Sequence, residues 1–172
     1  MKRLGPGFAV LAAVFVVAGC GYHLVGYGGQ FPAGVESLAV PIFANQTEDV
    51  EIARSLTNHF VKELLATGKV KVLPLEEADA VVRGTVTRYE IEPITFDAER
   101  NATENRLVVT ADISLVLRGE EEPVFHEAGV TRYQEYLVST DLAVDQKQQD
   151  RARQDVSREL SQKVISLMTE GF

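Results

Sequence analysis

The chain has 172 residues, 45% of them hydrophobic, with one cysteine, no tryptophan and a formal net charge of −8. That length and apolar fraction suit one domain with an ordinary core and argue against wholesale disorder. A lone cysteine excludes an intrachain disulfide and a Cys-rich zinc site, and the acidic balance argues against a generic nucleic-acid binder, which needs a basic surface.

Lys2 and Arg3 form a short basic start, and Phe8 to Ala18 is an apolar run of 11 residues. That run has the size of a signal-peptide hydrophobic region and is too short to span a bilayer, which takes roughly 20 residues. It ends Val17-Ala18-Gly19-Cys20, a bacterial lipobox, in which small residues admit a peptidase and the thiol receives a diacylglycerol. Cys20 is therefore the expected lipidation site. Cleavage ahead of it removes 19 of the 172 residues, leaving 153, and loss of Lys2 and Arg3 takes the charge from −8 to −10. Several acyl chains on one N-terminus anchor stably, at about 0.8 kcal/mol per buried CH₂. Gly21 follows the cysteine where an Asp would signal retention at the inner membrane, so the expected location is the outer membrane, periplasmic side. The expected organisation is a removed signal peptide (1–19), a lipidated, glycine-rich tether (20–34) and a single α/β domain (35–172).

Within the domain, Leu38, Val40 and Ile42 alternate and predict a short strand over Val35 to Phe43, with Pro41 near its end. Asn45 to Glu48 has turn and helix-cap chemistry. Ile52, Leu56, Phe60 and Leu64 then form one apolar stripe, predicting a helix over Asp49 to Thr67 that Gly68 stops. Lys69 to Leu73 reads as a second short strand, completing a βαβ unit. Past the acidic turn Leu75 to Asp79 the period becomes two: Ala80, Val82, Gly84 and Val86 share a face, and so do Leu107, Val109, Ala111, Ile113, Leu115 and Leu117. Val124 to Val138 is a third long strand, with Ala128 and Val130 on one side and Thr131, Tyr133 and Glu135 on the other. Gly119 to Pro123 is the turn before it, so these strands form a meander. The polar connection Pro93 to Asn105 is either a long loop or the flared ends of two strands. Asp141 to Met168 reads as a helix with Ala152, Val156, Leu160, Val164 and Met168 in one stripe and Glu159 paired to Lys163. Its first turns, Asp145 to Asp150, carry no apolar face. The fold class expected is α+β, a two-layer sandwich: a mixed sheet of about four or five strands, covered on one face by two helices.

Sites for chemistry are scarce. His23, His59 and His126 have no metal-ligand spacing. No G-x-S-x-G occurs, and no glycine loop of a phosphate-binding kind opens a helix. The acids Glu76, Glu77 and Glu120 to Glu122 sit in turns as solvated charge. An enzyme is not expected, no cofactor is called for, and function should reside in surfaces.

Cys20-Gly21-Tyr22-His23-Leu24, directly after the lipobox, resembles the C-G-[YW]-H-L start of the LPS-assembly lipoprotein family, LptE. Leu38-Ala39-Val40-Pro41-Ile42-Phe43-Ala44-Asn45-Gln46-Thr47 is similar to that family's first strand and helix entry, and the order of elements fits along the whole mature chain. The resemblance implies a plug in the lumen of the outer-membrane β-barrel LptD, assistance to that barrel's assembly, binding of lipopolysaccharide and support of its transport, with no covalent chemistry. It places lipopolysaccharide contacts on basic residues near the loop between the long strands and near the start of the last helix. Arg100 and Arg106 correspond to the first place. At the second the sequence reads Leu142-Ala143-Val144-Asp145, and the nearest base, Lys147, is displaced by a few residues. The strand–helix–strand start over Leu38 to Val72 also resembles CsgG- and LpoB-type lipoproteins of secretion and peptidoglycan-synthase activation, which stands as the alternative; the C-G-Y-H-L start and the absence of a long linker favour LptE.

Overall fold

A computed structural model describes residues 31–170 except Ala33. The leader, Cys20 and nearly all of the tether lie outside the described residues. In chain order the elements are β1 (Ser37–Ala39), β2 (Ala44–Asn45), α1 (Ile52–Ala66), β3 (Lys71–Val72), β4 (Ala80–Phe96), β5 (Ala102–Leu117), β6 (Pro123–Leu137) and α2 (Leu142–Glu170). They form one six-stranded mixed sheet in the order β3-β1-β4-β5-β6, with β2 also on β4. β1 runs parallel to both β3 and β4, and the three long strands are antiparallel neighbours. The expected α+β class, βαβ start and meander are all present, with both helices on one face.

The expected first strand is divided. Pro41 has no N–H to give a ladder, so pairing stops at Ala39 and resumes at Ala44, opposite Thr85 in the middle of β4. Between the two, Phe43 turns inward. Its backbone N–H donates to Thr57 Oγ1 at 3.0 Å, and its ring meets Phe60 edge-on with centroids 5.6 Å apart. Packing also begins ahead of Val35, because Phe31 is buried in the same core.

The helix entry is capped differently from the sequence expectation. Asn45 Oδ1 accepts from Thr47 N and Thr47 Oγ1, an Asx turn. The capping acceptor itself is Asp49, whose Oδ1 takes the N–H groups of Glu51 (3.1 Å) and Ile52 (2.8 Å). Two orphan donors of the helix N-terminus are thereby satisfied. The α1 stripe Ile52, Leu56, Phe60, Leu64 and the α2 stripe Ala152, Val156, Leu160, Val164, Met168 are buried against Val82, Val86, Leu107, Val109, Ala111, Ile113 and Leu115 of the sheet. The helices run side by side in the same direction, with Ser55 Oγ 3.0 Å from Ser157 Oγ and Gln162 Nε2 3.2 Å from Glu63 Oε2. Glu159 and Lys163 make no ion pair with each other.

Two bulges correct the simple alternation. At Thr87 the β4 register slips by one, so that Tyr89 and Ile91 pair with Val109 and Leu107 on the helix-covered side while Arg88, Glu90 and Glu92 take the open face. At Gly129, with φ of 70°, β6 carries an extra residue. A left-handed glycine is the usual occupant of such a bulge. Val130 faces inward and Thr131, Tyr133 and Glu135 outward, one of the two orientations the alternation left open, and Ala128 is displaced from Val130's side to an exposed position.

The β1–β4–β5 corner is tied by one carboxylate. Asp79 Oδ2 accepts from Ser37 Oγ (2.6 Å), Ser37 N (2.9 Å) and Glu36 N (3.1 Å). The Arg118 guanidinium beside it donates through Nε and Nη2 to the Ala78 carbonyl. The Ser37 hydroxyl first, then the Glu36 N–H, hold the Asp79 carboxyl below its ordinary pKa. A depressed carboxylate pKa contributes stability that is fully present above the unfolded value of about 3.9 and is lost as pH falls through the folded value. Stabilities of the wild type and Asp79→Asn are therefore expected to differ at neutral pH, to begin approaching each other below about pH 4 and to converge only once pH falls below the folded value; a gap that stays constant with pH would assign the effect to the hydrogen-bond geometry alone.

Candidate interaction surface

Pro93 to Asn105 resolves into the second of the two expected forms: β4 continues to Phe96 and β5 starts at Ala102, leaving only a tight tip. The tip is closed by Asp97 N to Asn101 O (3.0 Å), Arg100 N to Asp97 O (3.2 Å) and Asn101 N to Asp97 Oδ1 (2.8 Å). Asn101's backbone and side-chain donors hold the Asp97 carboxyl below its ordinary pKa. Arg100 sits in the left-handed region at φ 68°, a conformation unfavourable to a non-glycine residue.

Three strands run out past the βαβ unit to reach this tip, because β1 and β2 pair only with residues up to Val86 of β4. The far end is partly bare. Phe96 and Leu137 are 56% and 63% exposed, and on the opening turn of α2 Leu142 is 86% exposed. The absence of an apolar face in the first turns of α2, legible in the sequence, thus corresponds to a helix start that projects past the core.

The border between the packed and the bare halves is a buried ionic junction. Arg153 of α2, only 8% exposed, donates to Asp49 Oδ2 at 3.0 Å and to Asp150 Oδ1 at 2.8 Å, and lies 6.0 Å from the centroid of Tyr89. Asp49 thus serves α1 with one oxygen and α2 with the other. Gln149 Nε2 approaches the Tyr89 hydroxyl at 3.5 Å, and burial raises the Tyr89 pKa. Arg153 Nε is buried without a partner. In the sequence this junction leaves only a faint mark, an arginine directly beside Ala152 of an apolar stripe.

The residues nominated for lipopolysaccharide contact fall in three places. Arg100 is at the tip. Arg106 is on the open sheet face, where its guanidinium is bound by Glu135 Oε1 (2.6 and 3.1 Å) and stacks 4.7 Å over the Tyr133 ring. Lys147 is on the second turn of α2, on the other side of the sheet. The fold does not gather them into one cluster. Arg106 is engaged within the protein, whereas Arg100 and Lys147 carry charge that no carboxylate among the described residues takes up.

Of the histidines described, His59 Nε2 lies 2.8 Å from Gln154 Oε1, and His126 is exposed. No three His, Cys, Asp or Glu side chains among the described residues gather into a metal-capable group. No helix among the described residues is long and apolar enough to cross a membrane.

A mixed sheet with both helices on one face and a hairpin projecting past the βαβ unit defines the class as a small α+β domain. Residues 35–168 match the family model described as LptE, lipopolysaccharide-assembly. The chain belongs to the LptE family. The fold recurs in the rare lipoprotein B of Shewanella oneidensis, 17% identical over 78% of this chain and 95% of that one with a TM-score of 0.53. It recurs also in a PelC dodecamer of Paraburkholderia phytofirmans, 20% identical over 81% and 93% of the two chains with a TM-score of 0.56. No curated protein matches the sequence.

Proposed function

We propose that the protein is an outer-membrane lipoprotein, anchored through acyl chains on Cys20 with its domain on the periplasmic side, that seats in an LptD-type barrel and supports lipopolysaccharide transport. The family match over residues 35–168 is the observation that carries this reading. It extends across the meander and second helix, well beyond the strand–helix–strand start on which the CsgG- and LpoB-type alternative rests. The domain organisation follows: signal peptide to residue 19, lipidated tether, then the folded unit, whose packing begins at Phe31. Its part is binding and assembly rather than covalent chemistry.

The experiment is capture of the lipidated full-length chain from detergent-solubilised outer membrane. A large β-barrel is expected in near-equal amount; its absence, or crosslinks from the domain that never reach a barrel interior, would overturn the reading.

The charges without carboxylate partners make a finer prediction. Guanidinium and ammonium groups bind phosphate by charge-assisted hydrogen bonds, and in a chain this acidic any such contact must be local. Arg100→Gly removes the tip charge and also relieves its left-handed backbone, so it keeps or raises the melting temperature. Combined with Lys147→Ala it is expected to lower retention of lipopolysaccharide several-fold at low salt, read from lipopolysaccharide co-eluting with the purified complex. Unchanged retention would remove both residues from the site.

A further inference from the structure

We draw no further inference here: the strongest candidate, the exposed apolar patch that Phe96, Leu137 and Leu142 leave at the hairpin end of the domain, carries nothing because no feature of the structure shows what covers it.

Discussion

Gly84→Val is expected to destabilise the fold by about 3 kcal/mol, the upper part of the range for forcing extra groups into a packed core. A Cβ built at Gly84 falls 2.6–2.8 Å from three ring carbons of Phe43. The ring has no room to retreat. Phe43 is buried, abuts Phe60, and has its own N–H tied to Thr57 Oγ1. Beneath it Gly84 pairs with Ile113 in the middle of the sheet, so the backbone is equally confined. Chemical denaturation of the wild type and variant measures the loss. The mechanism predicts strong non-additivity: with Phe43→Ala already present, the additional cost of Gly84→Val should fall by about 1 kcal/mol or more. Equal costs in both backgrounds would show that the glycine is needed for its backbone and not for the ring above it.

The second large effect is expected at Asp49. Asp49→Ala removes a helix cap, about 1 kcal/mol, and deprives the nearly buried Arg153 of one of two carboxylates. Full loss of the partner of a buried ion costs about 3–5 kcal/mol. Asp150 remains at 2.8 Å, so the combined effect is expected at about 3 kcal/mol rather than beyond it. Asp49→Asn keeps an acceptor for the Glu51 and Ile52 N–H groups and should cost about 1 kcal/mol. Arg153→Met, which keeps the volume and removes the orphaned Nε, is expected to be milder than Asp49→Ala. Denaturant midpoints of the three variants give the order, and a more damaging Arg153→Met would mean that the stacking over Tyr89, rather than the ion pair, holds the junction. Hydrogen exchange adds a location: with Asp49→Ala, amides of the α2 opening turns should exchange faster while β4 and β5 beneath the helices stay protected.

Patterns of period were readable far in advance. The two helical stripes and the alternation from Leu107 to Leu115 mark faces that must leave water, and burial follows them closely. The lipobox and the C-G-Y-H-L start pointed to the same family that the match over residues 35–168 defines. Where the reading slipped, a single residue had altered the count. Pro41 split one expected strand into two, and Gly129 placed Ala128 outside. Such bulges depend on which partner strand lies alongside and at what register, which a period within one segment does not encode.

The candidate surface was legible only in pieces. A polar connection and a helix start without an apolar face were visible as departures from pattern. That they meet at one end of the molecule follows from strands running past the βαβ unit. Arg100, Arg106 and Lys147 could be named as charges from the chain alone, but whether each is available depended on neighbours distant in sequence. Glu135 lies 29 residues from Arg106 and occupies it. Asp49, which anchors Arg153, is 104 residues away. The sequence by itself determined the element types and the inward faces, because these depend on local order and on the affinity of side chains for water. The tertiary structure decided which charges are spent, which strand edge is left bare and where the apolar ends are exposed, because each is a relation between segments that only packing brings together.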